Sequence, residues 1–124
     1  MVNLKKKVYA ALKEIHDNVS DSWPQDWQGE EMLVYTEEDN RSYERSGTKT
    51  TKSYCRYRID ILGQRSLSDM AALVDSVLAY DEEGTGLGFT RTLCQDDNSG
   101  QNRHKIMRYE CVVSEKDGTI YGIS

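Results

Sequence analysis

Much that would name a class of protein is missing from this sequence. It has no apolar run near the eighteen residues that a membrane span needs, so no transmembrane helix is expected. The opening MVNLKKKVYAALKEI also lacks an apolar stretch, so no secretory signal is expected. Cysteines number only three, Cys55, Cys94 and Cys111, and each falls in a strand-like pattern with apolar neighbours. They read as reduced, buried thiols rather than as a disulfide framework. The tripeptides Asn18-Val19-Ser20 and Asn40-Arg41-Ser42 match a glycosylation signal, which carries no weight without export. The only histidines are His16 and His104. A zinc site drawing on Cys94, Cys111 and His104 lacks any CxxC or HxxxH spacing, so no metal and no cofactor is expected. No local pattern sets a nucleophile beside an oriented base, so no catalytic residue is expected and the chain is not read as an enzyme.

Two short motifs imitate binding loops and fail on context. GTGLG (84–88) has a helical pattern before it and a strand pattern after it, the reverse of what a phosphate loop requires. It reads as a helix stop and flexible link. DDNSG (96–100) would need glycine at the sixth loop position and glutamate at the twelfth to hold calcium; Gln101 and Met107 stand there. SGTKT has no P-loop glycine spacing and reads as a turn.

The residues that are present are strongly grouped. Only 37% are hydrophobic and 30% are charged, but the apolar ones cluster, which argues for a folded single domain over 1–124. Leu4, Val8, Leu12, Ile15 and Val19 recur at helical spacing and predict a helix from about Asn3 to Val19. Pro24 and Gly29 then break the chain, with Trp23 and Trp27 expected at the edge of the core. Met32–Thr36 reads as a short strand, EEDN as a turn, and 41–62 as a long hairpin bending near Ser46-Gly47-Thr48. In its second arm Cys55, Tyr57, Ile59 and Ile61 alternate with Tyr54, Arg56, Arg58 and Asp60. The first arm and the distal second arm are polar on both faces, so they are expected to project from the body. Ser66 is read as the N-cap of a second helix with the stripe Met70, Leu73, Val74, Val77 and Leu78. Strands follow at Phe89–Gln95 and Lys105–Val113, and Asp117-Gly118 signals a turn into a last edge strand. The order αβββαββ(β) predicts an α+β fold: an antiparallel sheet with two helices on one face and a long projecting hairpin.

Charge is distributed unevenly. Between Arg41 and Arg58 stand six cations (Arg41, Arg45, Lys49, Lys52, Arg56, Arg58) against Glu44 alone. This ribbon is +5 within a chain of net charge −5, which leaves −10 elsewhere. Cations with Tyr43 and Tyr54 suit nucleic acid, although the acidic remainder repels a polyanion. A solvated hairpin is the plainest reading. A basic arm on an acidic body also suits head-to-tail association into a ring, which ranks first.

The run of VYAALKEI, MLVYTEEDN, YRIDILG, SLSDMAALVDSVLAY, GLGFTRTLCQDD and HKIMRYECVV resembles the tail-terminator (tail-completion, or head–tail joining) proteins of long-tailed bacteriophages. The likeness covers roughly residues 5 to 113 and rests on element order and positions such as Tyr35, Asp60, Gly88 and Phe89. The SWPQDWQG segment is longer and more aromatic than the family pattern, and the DGTIYGI end reads as an addition. The resemblance implies a non-enzymatic virion protein: a hexameric ring that caps the tail tube and meets the head connector while DNA passes through its lumen. Its location would be the virion neck, after assembly in the bacterial cytoplasm. Expected contact residues are Arg41, Arg45, Lys49, Lys52 and Arg56 on the hairpin, with Asp96, Asp97 and Arg103 around the 95–104 loop. Other readings are another neck or minor capsid subunit, or a nucleic-acid module using Arg45, Lys49, Lys52 and Arg56.

Overall fold

Leu4, Val8, Ala11 and Leu12 are buried along one side of the first helix, α1 (Lys5–Lys13), while Lys5, Lys6, Lys7 and Lys13 face water. That amphipathic spacing is what makes the segment helical against a sheet. The helix ends well before Val19. The Ile15 and His16 amides both turn back to the Leu12 carbonyl, and His16 Nδ1 accepts the Asn18 N–H at 3.0 Å. The chain leaves in extended form, and Val19–Ser20 becomes a short strand, β1, beside Leu33–Val34.

A computed structural model describes residues 1–80, 83–84 and 86–123. Among these, one sheet is built from β1, β2 (Met32–Ser46), β3 (Lys49–Gly63), β4 (Thr90–Asp96), β5 (Arg103–Ser114) and β6 (Ile120–Tyr121). Its order is β1-β2-β3-β5-β4, with β6 beside β5. Pairing is antiparallel except for β1 with β2. The result is a mixed α+β fold with one six-stranded sheet and two helices. The expected first strand and first hairpin arm are one continuous strand. Glu37–Asn40 is not a turn: Glu37 pairs with Tyr57 and Asp39 with Arg56, and a bulge absorbs Glu38 between them.

The second helix, α2 (Ser68–Leu78), buries Ala71, Val74 and Leu78. Leu73, expected inside, is 44% exposed, because the stripe that meets the sheet is centred on Val74. The N-cap is Leu67 rather than Ser66, and no side chain caps this end. After α2 the glycine segment is a bonded return and not a loose link. The Leu87 amide bonds to the Val77 carbonyl and the Phe89 amide to that of Leu78. A Cβ at Gly86 would stand 1.9 Å from the Ala79 carbonyl oxygen, so only glycine permits so close an approach. Thr85 lies outside the described residues.

One large cluster joins both helices to a single sheet face through Leu33, Tyr35, Cys55, Tyr57, Ile59, Ile61, Met107, Tyr109, Cys111 and Val113. Each fully buried aliphatic side chain there contributes about 1.5–3 kcal/mol. The two fully buried phenols keep partners: Tyr57 donates to Glu37 and Tyr109 to Asp75, each at 3.0 Å. Burial first, then these carboxylates, push both hydroxyls above the ordinary tyrosine range. On the opposite sheet face a smaller cluster of Met32, Val34 and Leu62 is covered by Trp27, whose indole N–H donates to the Glu30 carbonyl at 2.8 Å. The tryptophan loop is therefore a second, partial layer.

Candidate interaction surface: the distal hairpin

Pairing of β2 with β3 runs from Met32–Leu62 to Ser46–Lys49, but β3 keeps its other neighbour, β5, only as far as the Lys52–Ser114 pair. Beyond it the ribbon has lost its third strand. Residues 41–49 are all exposed. Polar bonds hold this part together: Ser42 Oγ lies 3.0 Å from Thr50 Oγ1, Arg45 Nε donates to Ser42 Oγ at 3.2 Å, and Thr51 Oγ1 donates to the Glu44 carbonyl at 3.1 Å. Gly47, at φ +64°, makes the turn. Register shifts around Tyr43 and Glu44 add twist, and Tyr43 is left 61% exposed.

The six cations divide into two groups. Arg41 meets Asp39 at 3.4 Å and lies over the Tyr54 ring, 4.6 Å from its centroid. Lys52 meets Glu44 at 3.7 Å and lies near the Tyr121 ring. Arg56 and Arg108 share Glu38 Oε1 at 3.2 and 2.8 Å. Arg58 forks onto Asp60 at 2.9–3.1 Å, and this bonding raises its already high pKa. Of these six, only Arg45 and Lys49, on either side of the turn, have no carboxylate partner among the described residues. Four of the six positive charges are thus matched within the chain.

The other candidate residues lie elsewhere. Asp96 meets Lys105 at 2.9 Å. Asp97 is 70% exposed and stands 3.7 Å from His104 Nδ1. Arg103 opens β5 opposite Gly63, exposed and without a carboxylate partner among the described residues. This loop is at the start of β5, whereas the hairpin tip lies beyond its end. The two expected contact regions are therefore at opposite ends of the sheet.

The sequence reading missed one constellation. Asp60 is completely buried, and its Oδ1 takes Arg58 Nη2 at 2.9 Å and His104 Nε2 at 2.7 Å. Trp23 sets its ring edge-on to His104, centroids 5.5 Å apart. The available signal was that Arg58 and Asp60, two apart on a strand, share a face; the rest needed the register that sets His104 opposite Leu62. Carboxylate, imidazole and guanidinium form a compensated buried charge. The exposed thiol, Cys94, pairs with Met107 and so faces the helix side, away from this cluster. Cys94 was expected to be buried; it lies on an edge strand that neither helix covers. Cys55 and Cys111 are buried and directly opposed on β3 and β5, and their mutual hydrogen bond, then burial, push the Cys111 thiol up.

No protein-family model matches this chain, and a search of curated proteins finds no matching relative.

Proposed function

We propose that this protein is a non-enzymatic virion subunit that closes into a ring, with the distal hairpin as its intersubunit arm. Following the resemblance, the ring is a hexamer that caps a phage tail tube, meets the head connector and lets DNA pass without binding it. One observation carries the reading. Residues 41–49 are held by polar bonds alone, contribute nothing to the core, and end in two unmatched cations on an acidic chain. A ribbon of this kind has its natural partner on another surface. The acidic remainder suits a lumen that must not retain a polyanion. Nucleic-acid binding is the weaker reading, because Arg41, Lys52, Arg56 and Arg58 already neutralise carboxylates of their own chain.

Electron microscopy of the purified chain tests the proposal. Rings with an open centre are expected for the native sequence and dispersed monomers for the pair Arg45→Glu and Lys49→Glu. Rings unchanged by that pair, or steep salt-dependent retention on DNA, would contradict it.

A further inference from the structure

The ring reading leaves open what the arm grips, and the two ends of the sheet supply an answer. Residues 17–31 carry five acids (Asp17, Asp21, Asp26, Glu30, Glu31) and no lysine or arginine. In this loop Trp23 is 50% exposed, an indole left in water by an otherwise ordered segment. Asp97, exposed and bonded toward His104, belongs to the same end through the contact of Trp23 with His104. Arg103 and Lys105 also lie at this end, Lys105 bonded to Asp96, so the pole is acidic on balance and carries an aromatic projection.

The opposite pole has the complementary form. An open cleft of about 610 Å³ lies between the hairpin and the turn after β5, lined by Lys49, Thr50, Thr51, Lys52, Ser114, Glu115 and Lys116. Lys49 and Lys116 have no carboxylate partner among the described residues. Glu115 is already engaged, accepting Ser53 Oγ at 2.6 Å and the Met1 ammonium at 3.2 Å. The cleft is cationic, walled by hydroxyls and aliphatic lysine stems, a lining that suits an indole flanked by carboxylates.

We infer that the cleft holding Lys49, Lys52 and Lys116 seats the Trp23 loop of a second copy of this chain, with Asp26 and Asp97 meeting the lysines. The cleft lies at the Lys52–Ser114 pair and Trp23 packs on His104, opposite Leu62, so ten residues of strand, about 33 Å at ~3.3 Å per residue, keep them from meeting within one molecule. Unlike surfaces joined head to tail form a heterologous contact, which closes into a ring when the rotation permits. A half-exposed tryptophan entering a cleft is also the kind of anchor that dominates interface energetics. This inference rests on the arm reading above and adds the surface that receives the arm.

The test is a charge exchange read by sedimentation velocity at low salt. The variant Lys49→Glu with Lys116→Glu has two acidic poles, and Asp26→Lys with Asp97→Lys has two basic ones. Each alone should lose the assembled species, and an equal mixture should regain it, because each variant then offers the pole the other lacks. Trp23→Ala should lose assembly while its unfolding midpoint stays near the native value. If the Asp26→Lys/Asp97→Lys variant assembles like the native chain while the lysine reversal does not, the arm reading stands and this seat is wrong. If the lysine reversal assembles normally, or the native chain stays monomeric up to its solubility limit, both are overturned.

Discussion

The two halves of one hairpin obey different physics. Near the body, Met32–Tyr35 and Ile59–Gly63 are buried, flanked by β1 on one side and β5 on the other, and covered by helices or by Trp27. Past Asn40 the first strand has no second neighbour among the described residues, β5 leaves the second strand after Lys52, and residues 41–49 are all exposed. The proximal half is fixed by burial. The distal half is kept by a ladder of backbone and hydroxyl bonds whose net worth is about 0.5–1.5 kcal/mol each. An element so weakly required by its own fold is free to be specified by something outside it.

Substitutions should separate the halves sharply. Ile59→Ala, emptying a fully buried site on the helix-covered face, should cost ~4 kcal/mol in denaturant unfolding. A loss under ~1 kcal/mol would mean that the proximal half is not core. Asp60→Ala is next, at ~3 kcal/mol, because Arg58 and His104 lose a shared buried carboxylate; Asp60→Asn should retain part of that. Leu73→Ala, now placed outside the core, should cost well under half of the Ile59→Ala effect.

Acid should loosen the strip where the two halves join. Bonds from Ser53 and the N-terminal ammonium hold the Glu115 carboxyl below its usual range. At Glu110 burial opposes ionisation, but bonds from Thr92 and Tyr54 and the nearby Arg56 and Arg108 outweigh it. A folded pKa below the unfolded one means stability that is complete above the ordinary glutamate pKa of about 4.3 and is lost as pH falls through the folded value. The unfolding midpoint should therefore be level near neutrality and decline only below that range, and Glu115→Gln should shrink the decline. A midpoint that falls already between neutrality and pH 5 would point to other groups. The smallest stability effect belongs to Arg45→Glu with Lys49→Glu, expected within ~0.5 kcal/mol of native.

The same contrast explains what the sequence disclosed. The Cys55–Ile61 alternation, the turn at Gly47 and the exposure of residues 41–49 were legible, because burial or its absence leaves a period-two signature. The run Glu37–Asn40 was misread as a turn: four polar residues resemble a loop, and only cross-strand pairing with Tyr57 and Arg56 keeps them extended. Val19 fitted the helical stripe, but the helix ends before it, where the Asn18 N–H donates to His16 Nδ1. Leu73 and Cys94 were assigned inward on hydrophobicity alone, whereas exposure depends on how far the helices reach across the sheet. The cluster at Asp60 was invisible because register brings together residues 44 positions apart.

If the distal ribbon is completed by another molecule, amide hydrogen exchange will show it directly. In dilute monomer the amides of residues 43–50 should exchange far faster than those of Ile59 or Tyr109. In the assembled state residues 43–50 should gain protection, together with the Trp23 loop, while the core strands stay unchanged. Protection of 43–50 that is already high in the monomer, or that does not rise when the chain assembles through some other surface, would contradict the account.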